Sequence, residues 1–117
     1  MKLTKTQKLM LFSLGHYHNA LNHELEKVLS LHTPKITFIE LCLQSNLFNK
    51  KERALYLNLE TLEQKKLLSY DQGKVFLTET GLNEFKRIDQ EIALYSKTKS
   101  YFSVKKPLRK LQTMLVR

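Results

Sequence analysis

Cysteine occurs once in this chain, at position 42, so no internal disulfide is possible, and its apolar surroundings in IELCL predict a small buried side chain in a reducing compartment. Tryptophan is absent, and there are only two prolines and three glycines. So few backbone breakers, with 42% apolar and 26% charged residues, argue against disorder outside the ends and predict a helix-rich, folded, soluble chain. No apolar run approaches the roughly 20 residues a bilayer-crossing helix needs. The start, MKLTKTQKLMLFSLG, has lysines before an apolar run, but the run is short, contains Ser13 and leads into HYHN without a small-residue cleavage site. The expected location is cytoplasmic.

Acidic residues are missing from one region altogether. Residues 95 to 117 hold Lys97, Lys99, Lys105, Lys106, Arg109, Lys110 and Arg117 with no carboxylate, whereas the rest of the chain is nearly balanced within a net charge of +9. A terminal block of this kind marks a surface for polyanions, either nucleic acid or anionic lipid, with a merely solvated end as the plainer reading. Lys105, Lys106, Arg109 and Lys110 are its candidate contacts.

At 117 residues one core is expected. The division expected is a main domain over 1–98 and a basic extension over 99–117. Thr4 or Thr6 is placed to cap a long first helix striped by Met10, Leu14, Tyr17, Leu21, Leu25 and Val28. Ser30 to Pro34 breaks it, and Pro34 opens a shorter second helix with apolar Ile36, Ile39, Leu41, Cys42 and Leu43. Asn49 is placed to cap a third, with Glu52 completing a capping box, Leu55, Leu59, Leu62 and Leu67 buried, and an end near Lys65 and Lys66.

The stretch LLSYDQGKVFLT then reads as strand, turn and strand, with Gly73 permitting the positive φ of a tight hairpin. In VFLTETGLNEF the period changes abruptly: Val75 and Leu77 alternate as on a strand, and Leu82, Phe85 and Ile88 follow at helical spacing. Thr78 marks the junction as a cap, Glu79 suits the positive end of the helix, and Gly81 allows that helix to lie close to a neighbour. The helix continues through Ile92 and Tyr95. A further short helix is expected from Pro107. The fold class is thus mainly α with a small β-hairpin.

The segment NLETLEQKKLLSYDQGKVFLTETGLNEF resembles the stretch from recognition helix through wing in the MarR and PadR families of winged helix-turn-helix transcriptional regulators. Leu62-Glu63 matches the pair that ends the helix, Leu67-Leu68 the start of the first strand, Gly73 the wing tip, and Leu77-Thr78-Glu79-Thr80-Gly81 the exit. Lys66 stands where the family has glycine. The likeness covers about residues 36 to 88 and implies a winged helix-turn-helix fold with long first and last helices. It implies a DNA-binding regulator that inserts the helix from about residue 49 to 66 into the major groove, with residues 68–78 as wing.

On that reading Arg53 and Asn58 supply hydrogen bonds to base edges, Lys35, Lys50, Lys51 and wing Lys74 hold phosphates, and Asn49 is a further DNA-binding residue. Tyr56 lies on the same helix. Double-stranded DNA is the expected partner, and apolar seams on the first and last helices predict a homodimer. Two other readings stand beside it. Tyr56 and Leu57 suit a protein-interaction module, and the basic tail, with Tyr101 and Phe102, suits non-specific binding of RNA or membrane.

Catalytic chemistry has little footing. His16, His18 and His23 are two, five and seven residues apart, none of them the i,i+3 or i,i+4 spacing that brings two ligands together on one helix, and His32 stands alone. No paired carboxylates, phosphate-binding glycine loop or nucleophile elbow occurs. Neither an enzyme nor a metal or other cofactor is expected.

Overall fold

The computed structural model describes residues 2–23 and 33–104. It is mainly helical with a small antiparallel sheet, in the order α1 (Lys5–His23), β1 (Thr33–Pro34), α2 (Lys35–Ser45), α3 (Glu52–Gln64), β2 (Leu68–Asp71), β3 (Lys74–Leu77) and α4 (Glu79–Val104). This is the expected order with one strand more. The expected stripe positions Leu25 and Val28, the terminal helix from Pro107 and all four tail contacts lie outside the described residues.

Thr4, the nearer of the two candidate caps, starts α1. Its hydroxyl accepts from the Gln7 N–H at 3.2 Å, and its own N–H donates to Gln7 Oε1 at 3.1 Å, the reciprocal arrangement of a capping box. Met10, Leu11 and Leu14 from this helix enter the core, where Phe38, Ile39 and Cys42 of α2 meet Leu55, Leu59 and Leu62 of α3. Burial pushes the Cys42 thiol up to about 12, as a structural cysteine requires. Ile36 was expected on the apolar face of the second helix, yet it is 65% exposed, and Phe38 takes the buried place instead. Pro34 does not open α2 from inside. It caps it in extended conformation while pairing with Lys74, because β1 adds a third strand to the hairpin in the order β1-β3-β2.

The start of α3 differs from expectation. Asn49 is not its cap and forms no box with Glu52: it has φ 53°, and the helix begins at Glu52 after Lys51. The reason is the turn. Phe48 must reach the core, and the chain reverses around it through left-handed Asn46 and Asn49, a conformation asparagine tolerates better than most residues. At the far end the helix stops at Gln64 with the Lys66 N–H bonded to Glu63 O and the Leu67 N–H to Leu62 O. Those two bonds define a Schellman motif, with Leu62 and Leu67 in hydrophobic contact beneath it.

Lys66 occupies the left-handed position of that motif, at φ 64°, a conformation that favours glycine. An L-residue there costs about 1–2 kcal/mol, and glycine's extra freedom when unfolded takes back roughly half of that. Lys66→Gly is therefore expected to stabilise the fold by about 0.5 kcal/mol, read as a higher urea midpoint at unchanged slope. A lower midpoint would show that the lysine side chain contributes more than its backbone costs.

Thr78 joins the end of α3 to the start of α4. Its hydroxyl accepts from the Gly81 N–H at 3.0 Å and donates to Lys66 O at 2.6 Å, while its N–H reaches Leu67 O at 3.1 Å. The expected cap is thus also a strap between two helices. Phe85 is buried and Ile88 partly so, but Leu82, expected on the same face, is 38% exposed. Beyond Asp89, every described α4 side chain is exposed. The helix runs to roughly 39 Å at 1.5 Å per residue, within a body measuring 65 × 35 × 28 Å. Among the described residues no helix is long and apolar enough to cross a membrane.

Candidate nucleic-acid interface

The exposed face of α3 follows from its packing. With Leu55, Leu59 and Leu62 turned inward, the helical period leaves Arg53, Leu57, Glu60 and Gln64 in solvent and Tyr56 at the margin. Charge along this face is uneven. Lys50, Lys51 and Arg53 crowd the N-terminal end, all exposed and none with an ion-pair partner among the described residues. Glu60 and Glu63 make the other half acidic.

One predicted base reader is withdrawn. The Asn58 side chain faces α1, donating from Nδ2 to Ala54 O at 2.9 Å and accepting at Oδ1 from Gln7 Nε2 at 3.3 Å. One amide donor and the carbonyl are thus engaged within the protein, and nothing in the local sequence signals the bond to Gln7, 51 positions away. The segment before α1 continues along the same side, where Lys65 Nζ donates to Lys2 O at 2.8 Å.

On the opposite side lies the sheet. Lys35 is half-buried, with its Nζ 4.4 Å from the Tyr70 ring centroid and 5.4 Å from that of Tyr56. Both distances suit cation–π attraction. Burial first, then the nearby Glu63 and Glu60 carboxylates, pushes the Tyr70 phenol up to about 12, so the ring stays neutral beneath the ammonium. Lys35 is consequently a held cation, unlike freely exposed Lys74. Lys74 sits at the hairpin end opposite Asp71 and Pro34, next to Gln72 and Gly73, both at positive φ.

The predicted residues therefore divide. Asn49, Lys50, Lys51 and Arg53 converge on one end of α3, Lys35 and Tyr56 join at the sheet side, Lys74 stands on the hairpin, and half-buried Asn58 turns toward α1. A contribution from α1 was not anticipated. Thr4, Lys5, Thr6 and Leu9 form one wall of a cleft of about 510 Å³ whose other wall carries Leu47, Phe48, Asn49, Lys50 and Asn58. No family model, curated protein or solved structure matches the chain.

Proposed function

We propose that this chain is a DNA-binding transcriptional regulator that presents the N-terminal end of α3 to the major groove, with the β2–β3 hairpin as a flanking wing. The reading is carried by the clustering of exposed, unpaired Lys50, Lys51 and Arg53 at that end. Insertion is end-on. A helix laid lengthwise in the groove would bring Glu60 and Glu63 toward phosphates, whereas end-on approach keeps them distant and puts Arg53 against base edges, where its fork suits guanine. Lys50, Lys51 and Lys74 hold phosphates and carry no sequence information.

The functional unit is a homodimer. Ile92, Leu94, Tyr95 and Phe102 are between 44% and 75% exposed, on a stretch of helix whose described side chains are all exposed beyond Asp89. Ile92 also borders an apolar trough of about 360 Å³ with Leu9, Phe12 and Ile88. Pairing these faces across a two-fold axis removes apolar surface from water and sets two α3 helices for successive half-sites.

The test starts with a sequence selected from a random duplex pool. Arg53→Gln is expected to weaken binding to that sequence by about 1–3 kcal/mol and to flatten preference at one base position. Wild-type affinity is expected to fall steeply with salt, and light scattering under the same conditions to give two chains. Salt-independent binding rejects the reading, and a monomer rejects the dimer. A second reading then takes over, favoured by Leu57 at 54% and Ile36 at 65% exposure: α3 and the start of α2 as a protein-docking face.

A further inference from the structure

The cleft between α1 and the turn before α3 has the chemistry of an anion seat. Its lining combines two ammonium groups, Lys5 and Lys50, with the hydroxyls of Thr4 and Thr6 and the amides of Asn49 and Asn58, and includes no carboxylate. Lys5, Lys50 and Asn49 are exposed, and Thr6 is half-buried. Neither lysine has an ion-pair partner among the described residues. Thr4 and Asn58 are already engaged, the first in the α1 capping box and the second with Gln7 and Ala54. They fix the two walls. Lys5, Thr6, Asn49 and Lys50 remain to meet a ligand.

Position decides which anion. The cleft abuts the N-terminal end of α3 on the side opposite the sheet, because residues 2–7 run along α3 from Lys65 past Asn58. Lys35 and Lys74 form a second cationic bank on the sheet side. A helix end entering a groove is flanked by two sugar-phosphate strands, and banks on both sides match that layout. We propose that Lys5 and Lys50 together bind one phosphodiester of the DNA strand on the α1 side, with the Thr6 hydroxyl and the Asn49 amide donating to its free oxygens. This assignment rests on the DNA-binding reading and extends the interface to α1. It makes the first turn of α1 part of the docking surface as well as of the core.

The experiment compares full-length wild type with K5Q/K50Q and with K97Q/K99Q, which removes equal charge from the projecting part of α4. Affinity for a mixed-sequence duplex is measured against salt concentration, and far-UV circular dichroism confirms that the exposed substitutions leave the fold intact. One lost phosphate contact lowers the slope of log affinity against log salt by about 0.9. The expected result is that decrease in K5Q/K50Q and a wild-type slope in K97Q/K99Q. Equal slopes in the two double variants, or an unchanged slope in K5Q/K50Q, overturn the phosphate seat while leaving DNA binding in place. Wild-type binding without salt dependence overturns both.

Discussion

Replacing Gly81 with alanine is expected to destabilise the protein by roughly 2–3 kcal/mol, near the upper end of ordinary overpacking, despite about 1 kcal/mol of improved helix propensity. A Cβ at this position would lie far inside van der Waals contact with the Leu67 carbonyl oxygen, and its carbon is also within 3.0 Å. Those are backbone atoms, so no rotamer change relieves the clash. The Leu67 carbonyl is held in place by the Thr78 N–H, and its N–H by Leu62 O in the Schellman motif. Relief therefore requires α4 to lift away from the end of α3, which strains the Thr78 bonds to Lys66 and Gly81. Urea unfolding reads the loss as a lower midpoint. A Gly81→Ala protein as stable as wild type would mean that α4 does not start against Leu67.

That junction was legible before any coordinates, because three local signals coincide in VFLTETG: the period changes, a cap residue marks the change, and glycine sits where a side chain would intrude. Other elements left weaker traces. β1 has two residues, too few for any period, and it exists only because β3 offers an edge. The Asn49–Glu52 spacing imitates a capping box, but burial of Phe48 turns Asn49 left-handed and delays the helix to Glu52. Here a tertiary demand overrides a correct local rule. Apolar character misleads in the same way at Ile36 and Leu41, which are 65% and 37% exposed.

The candidate site divides along the same line. Lys50, Lys51 and Arg53 are adjacent in sequence and so could be grouped by reading alone. The turn of Asn58 toward Gln7 and the place of Lys5 in the cleft are not legible in the sequence, because both depend on the path of residues 2–7 beside α3, a contact across more than 40 positions that no period or motif encodes. Lys65 and Gln7 hold that path through hydrogen bonds from side chains that individually read as solvated surface.

Phe85→Ala is expected to cost roughly 3–5 kcal/mol, and its partner Gly15 makes the origin of that cost testable. The Phe85 ring is 5% exposed and fills the space where a Gly15 side chain would stand, with the His16 ring edge-on at 5.2 Å and Phe12 at 6.2 Å. The His16–Asp89 contact at 3.0 Å also links the two helices, but both groups are half-exposed and a pair of that kind contributes well under about 1 kcal/mol. Ring packing on the bare Gly15 backbone is therefore the stronger of these two links between α1 and α4. In the wild type, Gly15→Ala drives a methyl into the ring and is expected to destabilise by about 1–2 kcal/mol. In the Phe85→Ala background the same methyl enters vacated space and raises helix propensity, so it is expected to stabilise by up to about 1 kcal/mol. Reversal of sign in this double-mutant cycle identifies direct contact, and equal effects in the two backgrounds would place the helix–helix attachment elsewhere. Attachment matters to the proposed dimer, because apolar faces on the far half of α4 can set the spacing of two α3 helices only if each α4 is rigidly fixed to its own α1.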